Sequence, residues 1–332
     1  MQPPIVSIVV ALYQIEDLLP RFLASLSAIL RSDLRVEAIL VDDGSTDNTL
    51  RLAQDFEKVH DNALTIAHTT NQGLFRARQT GVGACSGQFV WLVDGDDILM
   101  RLNLDFIAQS LASLPAVDLF SFGYIETRDL AYEPPKINSA VKYKTVVEGC
   151  VLFPLLYWGN IWRYIVRRTL LLKYYNQTKM RHDMGEDLIL TSWLGANAGA
   201  AMLADSPVYV YRKHRPGSYT EKLPPLHRIE ASVELFFEIC VRNLNNLDPV
   251  TRSMQALFSL NMREDQRIEC ERSGRVDLVE KCLAIDDLAF TICPSQAELA
   301  ALIEHHSIGL RPNAANERAG RILACMTRDK AA

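Results

Sequence analysis

Two short apolar runs in this chain end in clusters of carboxylates, and that pairing narrows the folds open to it. Ile39-Leu40-Val41 runs into Asp42-Asp43-Gly44-Ser45-Thr46-Asp47, and Phe89-Val90-Trp91-Leu92-Val93 runs into Asp94-Gly95-Asp96-Asp97. Each run is too short for a helix and is bounded by turn residues, which is the pattern of a buried strand. Ile5 to Leu12 and Leu64 to His68 read as two further strands, and Val36 to Val41 as the full extent of the second. Between them the period changes. Leu18, Leu19, Phe22, Leu23, Leu26 and Ile29 recur at helical spacing within 17–29. A second helix runs to about Lys58, with Ser45, Thr46 or Asp47 available to cap it. A third spans Leu74 to Cys85 and stops before Gly87. This strand–helix alternation predicts an α/β fold, a mostly parallel sheet flanked by helices. Ligands of such sheets bind beyond the carboxyl ends of the strands, where both acidic clusters fall.

The second half is less regular. Val117 to Tyr124 reads as a strand, 129–144 with Pro134-Pro135 as an exposed loop or hairpin, Glu186 to Ala198 as a helix, and Ala201 to Arg212 as containing a strand. Past Ser218 strand signals fade, and apolar residues recur at helical spacing through 229–240, 250–262, 276–288 and 296–303. The expected organisation is an α/β domain over 1–217 and a helical region over 218–332, which could contact a ligand, a second copy or a membrane. The 332 residues suit two domains of about 150 each.

Composition excludes several classes. A net charge of -5 argues against nucleic acid as a partner, since that needs a basic face. The seven cysteines contain no CxxC pair and are widely spaced, which fits small packed thiols rather than zinc or disulfides. No apolar run nears the ~20 residues of a membrane span. Met1-Gln2-Pro3-Pro4 does not begin a signal peptide. The expected location is cytoplasmic, with peripheral contact at the inner face of the cytoplasmic membrane left open.

The residues that carry chemistry allow two readings each. Asp94 and Asp96, one residue apart at a strand end, project the same way and could share a cation, with Gly95 admitting a ligand close to the backbone; they could equally form a turn. Mg²⁺ and Mn²⁺ both favour such oxygen ligands. Asp42 and Asp43 follow a buried strand, where paired carboxylates are costly without donors. A nucleobase N–H is one donor, and an Asx bond to the next helix is another. The Arg78 guanidinium matches phosphate geometry, with Arg76 as a competitor on another face. Glu186 and Asp187 open a helix, where acids complement the dipole or supply a base. Tyr211-Arg212-Lys213-His214-Arg215 is basic enough for a diphosphate, or is an ordinary surface loop. Trp158 to Arg168 could pack as core or turn Arg163, Arg167 and Arg168 to anionic lipid.

Taken in order, these segments resemble a family 2 glycosyltransferase of GT-A, Rossmann-like fold over about the first 215 residues. The matching pieces are Val6 to Tyr13, Val41 to Asp47, Asn71-Gln72-Gly73-Leu74 through Ala77-Arg78, Leu92 to Asp97, Gly185-Glu186-Asp187, and Tyr211-Arg212 followed by Ser218. The resemblance implies transfer of a sugar from a nucleotide-diphosphate donor, UDP-sugar favoured, with inversion, to a growing glycan or lipid-linked acceptor. It implies Mn²⁺ or Mg²⁺ as cofactor. It makes Asp187 the base and Asp96 the metal ligand, with His214 completing the metal site. It puts Ala11, Tyr13, Asp43, Arg78 and Asp94 on the nucleotide, and Glu186, Asp97 and Trp162 on acceptor or support. Gln14 departs from the Asn often found there. Competing readings are an inactive sugar-nucleotide-binding scaffold and a haloacid dehalogenase-type phosphotransferase. The latter needs Asp-x-Asp-Gly, which neither cluster supplies.

Overall fold

The computed structural model describes residues 3–101, 103–128, 132, 144–148, 160–178, 185–212 and 270–280. The chain divides into two compact units: Met1–Gly149 with Asn160–Leu190 and Asn197–Ser218, and Cys150–Gly159 with Thr191–Ala196 and Tyr219–Ala332. The first holds the sheet. Of the expected helical region, only 270–280 is described; it is helical on either side of Gly274 and buries Cys270 and Leu278.

Strand β1 (Val6–Leu12) is a run of β-branched and apolar residues, buried along nearly all its length. Strands β2 (Val36–Asp42) and β4 (Phe89–Asp94) flank it in parallel, and β3 (Ala63–Ala67) lies parallel on the far side of β2. Such strands are covered on both faces, which is why they read as continuous apolar runs rather than as alternation. Helix α1 (Leu19–Leu30) buries Leu19, Phe22, Leu23, Leu26, Ile29 and Leu30, the stripe its periodicity predicts. Helix α2 is Thr49–Glu57, and α3 is Leu74–Ala84. A Cβ on Gly81 would stand 2.4 Å from Val9 Cγ1, so glycine lets α3 approach β1.

The rest of the sheet is mixed. Its order is β3-β2-β1-β4-β8-β6-β9-β5, with β7 paired to β9. Here β5 is Ile98–Leu99, β6 Leu119–Thr127, β7 Lys144–Glu148, β8 Tyr164–Arg167 and β9 Ala200–Arg212. β8 runs antiparallel to β4 and β6, while β6 and β9 are parallel with a bulge near Gly123. The expected parallel sheet is therefore its N-terminal half. Helices α4 (Leu104–Ser113) and α5 (Arg168–Gln177) and the short strands β5 and β7 add to the elements expected, and α6 is Glu186–Asn197. The 129–144 loop lies almost wholly outside the described residues.

Strand order places the site. The chain leaves β1 toward β2 and β3, then returns to β4 on β1's other side, and the reversal opens a crevice at the carboxyl ends. Register puts Leu12 beside Asp42, and Ala11 between Val41 and Asp94, so the two acidic clusters end on opposite flanks of β1. No described helix is long and apolar enough to cross a membrane.

Candidate active site

The second cluster is pinned from below by β9. Asp97 is buried; its Oδ2 accepts from the Tyr209 hydroxyl at 2.7 Å and its Oδ1 from the Arg212 backbone N–H at 2.8 Å. The Tyr209 oxygen in turn accepts from Asp94 N at 3.2 Å. Trp162 stacks on Tyr209 (centroids 4.6 Å, planes 7° apart) and on Tyr211 (5.1 Å, 25°), with Tyr124 edge-on at 4.9 Å. The Trp91 indole N–H donates to the Trp162 carbonyl at 2.7 Å. Trp162 is thus buried beneath the acidic loop, packed between Tyr209 and Tyr211. Arg167 is tied to Asp118 and to the Pro115 and Val117 carbonyls, Arg168 to the Cys85 carbonyl, and Arg163 lies over Tyr124.

Carboxylate oxygens of Asp94, Asp96 and Asp97 lie within 4.8 Å of one another. Burial and the neighbouring Asp96 and Asp94 push Asp97 well above the usual carboxylate range. Burial and the Asp97 and Asp94 charges likewise hold the proton on Tyr209. Like charges this close repel unless a cation relieves them. With Asp97 held by Tyr209 and Arg212, the partly exposed Asp94 and Asp96 are left to face the crevice. A hard-oxygen set of this kind fits Mg²⁺ or Mn²⁺. His214 lies outside the described residues.

Arg78 joins this loop to α6. It is 3% exposed, its Nη2 donates to Asp94 Oδ1 at 2.8 Å, and its Nη1 is paired with Glu186 Oε1. Burial works against its charge, but Asp94, Tyr175 and Asp187 more than offset it, so its pKa is raised. The buried guanidinium braces two carboxylates. Arg76 is exposed and bonded to Gln79.

Gly185, at φ +74, turns the chain into α6, so that Glu186 is buried and Asp187 is partly exposed. Asp187 Oδ1 accepts from Leu188 N at 3.0 Å, and Oδ2 has no hydrogen bond among the described residues. Burial raises the Asp187 pKa; Arg78 pulls it down, Asp94 pushes it up, and the outcome is about 6. That value leaves Asp187 ionised at neutral pH yet basic enough to take a proton.

On β1's other flank, Asp42 Oδ2 accepts from Ser45 N at 3.0 Å, closing the turn at Gly44, and its buried Oδ1 has no partner among the described residues. Asp43 Oδ1 accepts from Gln72 N at 2.9 Å and pairs with His68 Nδ1 at 2.7 Å; Oδ2 accepts from Gly73 N at 2.8 Å. A carboxylate oxygen can accept twice, so Oδ2 keeps one position for a ligand. Asp47, not Asp43, bonds the start of α2, through Thr49 N at 3.0 Å. Tyr13 is 44% exposed above this end of the sheet. Gln14 sits at φ +49, a left-handed position where Asn is more at ease, and its N–H donates to Ser45 Oγ at 3.0 Å. The turn needs the conformation, not the shorter amide. Sequence reasoning missed Tyr209 and His68, because nothing in the chain pairs a lone aromatic or histidine with an aspartate distant in sequence.

Residues 7–170 match the family described as Glycosyl transferase family 2. Uncharacterized glycosyltransferase EpsJ of Bacillus subtilis (strain 168) is 28% identical over 227 residues, which covers 66% of this chain and 63% of that protein. The chain thus spans less than two thirds of that relative's length. Among solved structures, S. aureus TarS 1-349 in complex with UDP-GlcNAc superposes with a TM-score of 0.66 at 18% identity, covering 96% of this chain and 89% of that one. Mannosyltransferase PcManGT from Pyrobaculum calidifontis, in complex with GDP-Man and Mn2+, superposes with a TM-score of 0.53 at 15% identity, covering 99% and 87%. At these identities the structural likeness shows the GT-A fold.

Proposed function

The chain belongs to glycosyl transferase family 2 through its residues 7–170, and on that premise we propose that it is a metal-assisted, inverting transferase. It moves a sugar from a nucleoside-diphosphate donor, UDP-sugar favoured, to a hydroxyl of a cell-surface glycan or lipid-linked acceptor on the cytoplasmic side. The observation that carries this reading is the continuous set from the Asp94, Asp96 and Asp97 cluster through Arg78 to Glu186 and Asp187.

Asp96 and Asp94, with His214, would hold Mn²⁺ or Mg²⁺. Bound there, such an ion supplies Lewis-acid neutralisation of the charge that gathers on the leaving diphosphate. Asp97 fixes the loop from beneath. Asp43 Oδ2 reads a base N–H, with Ala11 and Tyr13 as the walls. Arg78 serves the nucleotide through Asp94. Asp187 takes the acceptor hydroxyl's proton on Oδ2 as that oxygen bonds the anomeric carbon and the bond to the diphosphate breaks on the opposite face. Glu186 holds the start of α6 against Arg78. Residues 218–332 are reserved for acceptor, a second copy or peripheral membrane contact.

The test is thermal unfolding with UDP, GDP, dTDP and CDP, each with and without Mn²⁺. A Mn²⁺-dependent rise in Tm selective for one nucleotide is expected, because a ligand of the native state stabilises it by mass action. No rise with any nucleotide would overturn the reading, and a rise without transfer to any acceptor would favour the inactive sugar-nucleotide-binding scaffold.

A further inference from the structure

His68 stands directly after β3 and belongs to none of the motifs above. Its backbone N–H donates to Asp42 O at 2.8 Å, which fixes the residue beside the end of β2. Its side chain, 8% exposed, lies between two partners: Nδ1 is 2.7 Å from Asp43 Oδ1, and Nε2 is 3.0 Å from Thr80 Oγ1 on α3. Asp43 also accepts the Gln72 and Gly73 backbone N–H groups. The Gln72 and Gly73 N–H groups both donate to this carboxylate, so its oxygens act as acceptors. Nδ1 must then carry a hydrogen. Thr80 orients the ring, since its hydroxyl can donate to a neutral Nε2 or accept from an imidazolium.

We propose that His68 is a positioning residue that sets which nucleobase the site accepts; this rests on the reading of Asp43 as the base contact. By filling Oδ1 together with Gln72 N, it leaves Oδ2 as the acceptor with a free position. Oδ2, as an acceptor, takes the ring N–H of uracil. It rejects cytosine, whose N3 is itself an acceptor. The Asp43–His68–Thr80 line therefore keeps the site selective for a base that presents a ring N–H.

The experiment measures Kd for UDP and for CDP in the presence of Mn²⁺, by calorimetry on the full chain. UDP and CDP differ only on the base edge in question. In His68→Ala the UDP affinity should fall roughly tenfold, the scale of one lost hydrogen bond to a charged group. CDP affinity should hold or rise, so the preference narrows. His68→Asn, whose amide N–H can stand near the Nδ1 position, should restore the preference. Thr80→Val should narrow it by a smaller factor, and it keeps the test open if His68→Ala does not fold. Equal losses for UDP and CDP in His68→Ala, or no change for UDP, would overturn the proposal. Asp43→Asn separates the two layers. If it loses UDP while His68→Ala does not, only the role of His68 fails. If Asp43→Asn binds UDP as the parent does, or the parent prefers CDP or binds neither, the base reading fails and takes the His68 proposal with it.

Discussion

Arg78 Nη2 donates to Asp94 Oδ1 at 2.8 Å from a position where the guanidinium is almost wholly enclosed. The same fork pairs with Glu186, so one side chain spans the acidic loop after β4 and the start of α6. Removing one partner of a buried pair leaves the others uncompensated. Arg78→Ala should therefore cost about 3–5 kcal/mol of stability in urea unfolding. Arg78→Lys keeps the charge but cannot bridge both carboxylates, so kcat should fall well over tenfold while the donor KM moves little. The opposite pattern, a large rise in donor KM at near-normal kcat, would mean that Arg78 holds phosphate directly.

Asp187 gives the pH dependence. With its pKa near 6, set by burial and opposed by Arg78, kcat/KM should rise with pH through about 6 and then level. Asp187→Asn should abolish transfer while leaving UDP binding within about twofold, since one polar group replaces another away from the nucleotide. The same shift acts on stability with a definite sign. A folded pKa above the ordinary 3.8 means that the native state binds the proton more tightly. The resulting stabilisation is complete below about 3.8 and is lost as pH rises through about 6. At pH 8 the Asn variant should thus be more stable than the parent, by up to about 3 kcal/mol. Equal stability at pH 8 would show that the Asp187 carboxylate is not strained by its surroundings.

The Asp94, Asp96 and Asp97 cluster separates ligand from support. Asp96→Ala should remove the Mn²⁺-dependent part of the UDP-induced Tm rise. Tyr209→Phe should act differently: it strips Asp97 Oδ2 of its donor in a buried place, at about 1–3 kcal/mol. Mn²⁺ should still raise its Tm, but at higher metal concentration, because Asp97 no longer anchors the loop. Identical Mn²⁺ titrations for Tyr209→Phe and the parent would detach Tyr209 from the site.

How far the sequence reaches is clear from individual elements. The strands ending at Asp42 and Asp94 are legible because burial on both faces writes an uninterrupted apolar run, and α1 because its buried stripe keeps helical period. The mixed half of the sheet is less legible: β5 is two residues long and exists only because β9 offers it an edge. Helix α5 begins at Arg168 and carries Tyr174 and Tyr175, buried against Phe75 of α3, so its polar composition hides a tertiary contact. In the site, the carboxylates that close a strand are legible by their type. Arg78 was named, but its burial between Asp94 and Glu186 depends on how α3 and α6 meet, which no local pattern encodes.

Gly44 tests the turn that presents the first cluster. Its φ is +73, and a Cβ there would lie 2.6 Å from Thr70 C and 2.7 Å from Asn71 N, both backbone atoms. Neither can move without shifting the 71–73 segment, whose N–H groups at Gln72 and Gly73 hold Asp43. Gly44→Ala therefore adds a steric clash to the left-handed backbone penalty of about 1–2 kcal/mol. Unfolding should show a loss above that figure, and UDP affinity should fall in parallel as Asp43 loses its donors. Asn, which tolerates positive φ, does not escape the clash, so Gly44→Asn should be no better than Gly44→Ala. A Gly44→Asn variant with parent-like stability would show that φ alone, and not the approach to Thr70, dictates glycine at this position.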